Sequence, residues 1–522
     1  MRFAQFAAGA FVVLPTSAWA HAFDERYDLP APLSYFVAGA AAVVGFSFVV
    51  AALFSRRAPP ASPARGRVVN LGPLLPVLRV VCRVASLALF ALTVTSGLLG
   101  TGDPMMNLAP TMIWIVWWVG LSLIAACIGN AWPALDPWRA LFDMLDALAR
   151  RCGVKGLAIG WIYPRALGAW PAVALLLALA WFEVVYTQAA VPYRLAHAAL
   201  AWSAFTLAGM VCFGRDAWQR NADMFAVYFA TLGRFAPLAA GPDSRSIVVR
   251  TPGSGLITSD AASAAMIGFI LAMLSTVLFD GLLGGQVWWL TQRAITRALP
   301  QVVDDNGYIL GTIGLIGVWL LFLTAYRLTC RITARLAGGL PGSAVARAFA
   351  LTLVPIAVAY NVAHNFSSLL VQGQQLIPLL SDPLGLKWNI FGTANFRPDI
   401  GIIDARVTWY IAIGAIVTGH IISVWLAHRV ALREYATPRR AMLASVPLTI
   451  LMVIYTAISL SVIAEPMVKF NMPTENSRLY FSPSPLAGEG WDGGMNSIDA
   501  IERLYPPPQS SPARGEEVFI PC

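Results

Sequence analysis

The chain has 522 residues, 58% of them hydrophobic and 12% charged, with a formal net charge of +9. A soluble chain carries about 25% charged residues, so a soluble enzyme, a nucleic-acid binder and a disordered protein all fit poorly. The basic excess instead fits the arginine- and lysine-rich cytoplasmic loops of a polytopic membrane protein.

Residues 1–20 read as a secretory signal. Arg2 supplies the basic start, Phe3 to Leu14 the apolar stretch, and Ala18-Trp19-Ala20 a small-residue cleavage site. Cleavage would leave His21 as the first mature residue, on the periplasmic side. Residues 21–470 then read as an all-α transmembrane domain. Ten apolar stretches of spanning length follow, near 33–54, 79–100, 111–130, 167–187, 197–214, 261–282, 307–326, 348–371, 406–427 and 443–464. They are continuously apolar and do not alternate in short strands, which predicts helices rather than a barrel.

The loops divide by charge. With His21 outside, the first inside loop holds Arg56, Arg57, Arg65 and Arg67. Later inside loops hold Arg139, Arg150, Arg151, Lys155 and Arg165, then Arg215, Arg220, Arg234, Arg245 and Arg250. The outside loops hold fewer bases. Signal and charge bias thus predict one orientation in a bacterial inner membrane, with both ends periplasmic.

Between the third and fourth stretches, Asp136 to Arg151 places Leu141, Met144, Leu145 and Leu148 on one face. This predicts either an interfacial amphipathic helix or an ordinary connector helix. Residues 372–405 form a long outer loop punctuated by Pro, Gly and Asn, which suggests a cap or lid. Residues 471–522 read as a disordered, low-complexity tail, rich in Pro, Ser, Gly and Glu from Leu479 onward. Cys82, Cys127, Cys152, Cys212 and Cys330 fall at or near the cytoplasmic face and Cys522 in the tail, so no structural disulfide is expected.

Ionisable side chains within a span cost roughly 2.5–3.5 kcal/mol each at mid-helix and so require a reason. Glu183, His197, Asp280 and His364 all fall near the predicted outer ends of their spans, with Asn361 and Asn365 beside His364. His21 is expected on the same side. Imidazoles and carboxylates in one layer can hold a divalent metal such as zinc or copper. His21, His197, Asp280 and His364 are the candidate ligands. Each histidine alone is more often a hydrogen-bonded core or interfacial residue. His420 lies deeper in the ninth stretch, and His428 at its inner end reads as a solvated residue. Trp114, Trp117 and Trp118 read first as packing and anchoring, and otherwise as an aromatic wall for an apolar ligand.

The chain resembles a bacterial family of multi-span membrane proteins known as fenitrothion hydrolases. The residues that carry the resemblance are His21 with Asp28-Leu-Pro-Ala-Pro32, Asn107-Leu-Ala-Pro110 followed by Trp117-Trp118, and Asp136-Pro-Trp138. Further pieces are Phe279-Asp-Gly281, Leu353-Val-Pro-Ile-Ala357 leading to Ala363-His364, Ser381-Asp-Pro-Leu-Gly385 with Trp388-Asn-Ile-Phe-Gly392, and Gly419-His420. The resemblance implies cleavage of an apolar organophosphorus triester that partitions into membrane lipid. Glu183, Asp280 and His364 are the residues expected to carry the chemistry, with metal assistance. The alternative is a transporter or membrane metal-binding protein for a metal ion or small solute.

Overall fold

The structure, a computed structural model, describes residues 31–54, 66–257, 261–300, 304 and 306–464. The signal stretch, His21 and residues 471–522 lie outside these residues. The described chain is mostly helical. The principal helices are α1 (Leu33–Phe54), α2 (Leu74–Leu99), α3 (Leu108–Cys127), α4 (Pro137–Arg151), α5 (Trp170–Val184), α6 (Pro192–Phe213) and α7 (Met224–Gly233). They continue with α8 (Ala264–Leu283), α9 (Gln286–Ala298), α10 (Tyr308–Ala337), α11 (Val354–Gln372), α12 (Ala405–Glu434) and α13 (Pro438–Ala464).

Among the described residues, nine helices are long and apolar enough to cross a membrane: α1, α2, α3, α6, α8, α10, the Gly342–Ser381 stretch that contains α11, α12 and α13. The expected fourth span is shorter than its sequence suggested. It forms α5, 15 residues long, or roughly 22 Å at 1.5 Å per residue. The outward faces of the long helices are apolar, with Phe46, Val84 and Leu321 at 67%, 65% and 62% exposure. Such exposure is the mark of a surface solvated by lipid rather than water. The chain is therefore a membrane-embedded helical protein.

Local sequence sets the helix ends. Asp136 precedes Pro137, and its Oδ1 accepts from the backbone N–H groups of Trp138 (2.9 Å) and Arg139 (3.0 Å), starting α4. Asp223, Ser263 and Asp404 cap α7, α8 and α12 in the same way. Gly214, at φ +83°, ends α6 in a conformation that glycine adopts without strain. Within α3, Thr111–Gly120 winds as a π-helix. Such widened turns recur at functional sites.

The expectation of an all-α chain needs one correction. A three-stranded antiparallel sheet is formed by β1 (Arg67–Asn70), β2 (Leu238–Ala240) and β3 (Ser246–Val249), in the order β1-β3-β2. Val68 pairs with Val248 and Val69 with Ile247. The β-branched runs Val68-Val69 and Ile247-Val248-Val249 favour strands, but they are too short to stand out within polar loops.

This sheet ties the loop after α1 to the loop after α7. Arg215 is paired with Asp143, and Arg139 Nη1 donates to Gln219 Oε1 at 2.9 Å, adding the loop after α3. Arg347 Nε donates to the Ala262 carbonyl at 3.3 Å. The arginine-rich loops thus gather at one end of the bundle, here the sheet end. At the other end, Trp114 Nε1 donates to the Ala189 carbonyl (3.1 Å), and Thr187 hydrogen-bonds Tyr308 (2.8 Å). The 372–405 segment is part helix and part tethered loop at that end. Thr101 N–H donates to the Leu384 carbonyl at 3.2 Å, and Asp382 accepts from the Leu386 and Lys387 N–H groups at 2.8 and 2.7 Å.

The centre of the bundle belongs to α8 and α11. In their spanning windows 72% of residues are buried, against 17% in α1 and α2. Gly419 of α12 permits its helix to lie against α11: a Cβ there would stand 2.3 Å from Ala359 Cβ and 2.7 Å from the Pro355 carbonyl oxygen.

Candidate functional site

The two central helices carry the only pairing among the sequence-derived site residues that is a direct contact among the described residues. Asp280 lies on α8 one turn before its end, and His364 lies on α11. Asp280 Oδ2 and His364 Nε2 are 2.7 Å apart. Their side chains are 9% and 15% exposed, so the pair is enclosed but not sealed. If the carboxylate accepts from Nε2–H, the tautomer is fixed and Nδ1 holds a lone pair. The arrangement can accept a proton from a water molecule placed at Nδ1.

Glu183 stands on α5, 7% exposed. It lies within electrostatic reach of Asp280 and beside the Trp118 indole. Tyr228 of α7 lies close to Glu183 and receives a hydrogen bond from Asn361 Nδ2 at 3.3 Å. Tyr360, one turn before His364, has its ring centroid 6.3 Å from the imidazole. Gly281 gives Tyr360 room, since a Cβ there would lie 3.3 Å from its hydroxyl.

The layer is under-satisfied. Tyr360 OH, Asn361 Oδ1, Asn365 Oδ1 and His420 Nε2 are buried without a partner among the described residues. Buried polar atoms nearly always find partners, and each left without one costs roughly 1–3 kcal/mol. Tyr360, Asn361 and Asn365 lie within about one turn of His364 on α11, where such atoms suit water or a polar part of a ligand.

Of the expected metal set, only Asp280 and His364 are in contact among the described residues. Among the described residues no three His, Cys, Asp or Glu side chains could hold one metal ion. His197 is exposed on α6, and its Nδ1 lies 2.6 Å from the Tyr193 carbonyl oxygen. It does not join Asp280 and His364. His21 lies outside the described residues. Asp280 and His364 amount to two of the three protein groups that a catalytic zinc site uses.

The tryptophans mostly pack. Trp117 stacks on Phe90 (5.7 Å between centroids), and Trp114 lies near Phe182 (6.1 Å). Trp118 is the one that borders the site, its ring centroid 4.8 Å from that of Tyr228 and its indole beside Glu183.

A second buried polar group, at the sheet end, went unrecognised in the sequence. Asp136 and Asp223 are 1% and 0% exposed. Asp136 also accepts from Gln219 Nε2, while Thr206 Oγ1 donates to Asp223 Oδ2 at 3.0 Å. Burial, with the Asp223 charge adding to it, pushes the Asp136 carboxyl up to about 8. Burial pushes Asp223 up to about 6. An Asp before Pro is a legible helix cap, but its burial depends on α7 and Gln219, which are distant in sequence. His428 also differs from expectation. It is 2% exposed, with Nδ1 3.3 Å from Ser445 Oγ, and is not a solvated loop residue.

No family model, no curated protein and no solved structure matches this chain.

Proposed function

We propose that the chain is an integral membrane hydrolase of apolar organophosphorus triesters, with Asp280 and His364 as its general-base pair. The observation that carries this reading is the 2.7 Å contact between His364 Nε2 and Asp280 Oδ2. The family resemblance supplies the substrate class. His364 Nδ1 takes a proton from water, and the hydroxide attacks phosphorus. The aryl oxide leaves and takes the proton back from the imidazolium, giving a phenol and a dialkyl thiophosphate. Asp280 holds the ring and stabilises its charged form. Glu183 is a neighbouring carboxyl within electrostatic reach of Asp280. A neutral, greasy triester concentrates in lipid, and a partly open pair near one end of the bundle suits its entry.

Topology belongs to the same proposal. Between β1 and β2 the chain must cross an even number of times, because both strands lie in one sheet. We read α2, α3, α5 and α6 as those crossings, with the short apolar α7 staying at the sheet end, which makes ten in all. The basic sheet end then faces the cytoplasm of a bacterial inner membrane, and the Asp280–His364 end faces the periplasm.

The test is nitrophenol release from a nitrophenyl phosphorothioate triester by purified protein in lipid nanodiscs. Chelator-treated and untreated samples are compared. Activity in both supports the water-based pair. Activity lost with chelator and restored by zinc or copper returns a metal to the mechanism. No release in either sinks the hydrolase reading.

One observation favours transport as a second reading. Buried polar groups also occur away from the Asp280–His364 pair, at His420, His428, Asp136 and Asp223. Solute uptake by proteoliposomes without nitrophenol release would select that reading.

A further inference from the structure

Between α11 and α12, residues 383–404 fold back along residues 374–382. Ile390 N–H donates to the Ser381 carbonyl at 3.1 Å, and Phe391 N–H to Ser381 Oγ at 3.0 Å. Thr393 Oγ1 donates to the Ile377 carbonyl at 2.9 Å. Farther along, Gln374 Nε2 donates to the Asp399 carbonyl and Asp399 N–H donates to Gln374 Oε1, both at 3.0 Å. The acids are turned to backbone as well. Asp382 accepts from Leu386 and Lys387, Asp399 from Gly401 and Asp404 from Val407. The polar atoms of the loop are thus tied into the fold.

Its large apolar side chains are not. Leu386, Trp388, Ile390 and Ile402 are exposed, and Phe391 and Ile400 reach 68% and 80%. One such residue needs no explanation, but a run of them on a loop held this firmly marks a surface meant for something other than water. Both anchors of the loop are span ends. The Leu384 carbonyl accepts from Thr101, just past α2, and Asp404 caps α12. The loop therefore lies at the level where the spanning helices stop. Its exposed row also continues, through Ile400 and Ile402, into Val407 and Tyr410 on the first turns of α12, which are exposed on the lipid-facing surface. Lys387 and Arg397 stand exposed within the same loop. Tryptophan and basic side chains are the usual residues of a membrane boundary, where an aliphatic stem lies on apolar surface and the charged head stays at the polar level.

We propose that this loop is a membrane-docking element at the end of the bundle away from the sheet. Its apolar side chains enter the lipid leaflet, and Lys387 and Arg397 hold phospholipid phosphates, which favours anionic lipids. The occupant is lipid because the exposed row is continuous with the lipid-facing surface of α12 and carries bases whose charge complements a phosphate. The proposal rests neither on the hydrolase reading nor on which compartment this end faces.

The test uses full-length protein in vesicles made of equal parts zwitterionic and anionic phospholipid. The photo-cross-linking residue benzoylphenylalanine is placed at Phe391 or at Ile400, whose exposure lets either position accept it without disturbing the fold. A third sample carries it at Ser244, in the turn between β2 and β3, and sets the background yield. After irradiation, mass spectrometry identifies what each position has captured. Lipid adducts at Phe391 and Ile400 should exceed the Ser244 background about tenfold, with the anionic lipid over-represented at least about twofold. Lys387→Gln combined with Arg397→Gln should bring the two lipids to equal shares while the adducts persist. Capture of a second copy of the chain, or of residues 1–30 or 465–522, would overturn the proposal, as would a yield no higher than background. Equal lipid shares without the two substitutions, or a bias that survives them, would overturn the phosphate role of Lys387 and Arg397.

Discussion

Replacing Gly419 with alanine probes the contact that brings α11 and α12 together. In an unhindered helix Gly→Ala gains about 1 kcal/mol. Here the new methyl would stand 2.3 Å from Ala359 Cβ and 2.7 Å from the Pro355 carbonyl oxygen. Favourable carbon contacts lie near 3.5–4.0 Å, so the helices must part by roughly 1.2–1.7 Å. Neither obstacle is the end of a flexible side chain, which puts the overpacking cost at the upper end of about 1–3 kcal/mol. The net effect is a loss of about 2 kcal/mol. Gly414, on the same helix, has nothing within 4 Å of its own added Cβ. Gly414→Ala should therefore be neutral or gain up to about 1 kcal/mol. Thermal unfolding in one detergent reads both. Gly419→Ala should melt several degrees below wild type and Gly414→Ala at or above it. The double change Gly419→Ala with Ala359→Gly should recover part of the loss, because the carbonyl contact persists. Equal melting of the two alanine variants would refute the close helix apposition.

Three further outcomes follow from other parts of the molecule. The folded carboxyl values of Asp136 and Asp223, about 8 and about 6, lie above the ordinary value of 3.8. The fold thus favours their protonated forms. Their contribution is fully present below about pH 4 and is lost as pH rises through 6 and then 8. Between ordinary and folded values each pH unit costs at most about 1.4 kcal/mol per group. Melting temperature at fixed ionic strength should fall from pH 5 to pH 8, and Asp223→Asn should flatten the lower part of that slope. A flat wild-type profile would contradict the burial argument. His197→Ala should leave nitrophenol release within twofold of wild type, since the ring is exposed and apart from the pair. A hundredfold loss would return it to the site. Met144, Leu145 and Leu148 of α4 are 52%, 39% and 56% exposed, while Trp138 and Phe142 are buried. An environment-sensitive dye on Leu148→Cys should report an apolar setting in lipid vesicles and respond to lipid-borne quenchers. A water-like spectrum would make α4 an ordinary connector.

Much of the fold is legible because lipid imposes a simple rule. A span must be long, apolar and helical, and nine of the ten expected stretches reach that length. The fourth fell short because Val185 to Val191 leaves the helix, where Ala189 N–H and Val191 N–H close turns on Tyr186 and Gln188. The small sheet was hidden because strands of three and four residues acquire meaning only when distant loops meet. In the site, Asp280 and His364 stood out because charge is rare within spans. Their mutual contact could not be read from the chain, since 84 residues separate them. The under-satisfied tyrosine, asparagine and histidine atoms were less visible still. A hydrogen bond that is missing is a property of packing, not of residue type. His197 shows the converse error: nearness to a span end places a side chain in a layer, but only the helix face decides whether it turns inward.

The central claim is that Asp280 and His364 act as one unit in catalysis. The most direct measurement is a double-mutant cycle on nitrophenol release with Asp280→Asn, His364→Ala and the pair together. General-base catalysis contributes roughly 10²–10⁴-fold, so each single change should cost a factor in that range. The double change should cost little more than His364→Ala alone, because residues that act as a unit do not add. Multiplying losses, or full activity in either single variant, would contradict the account.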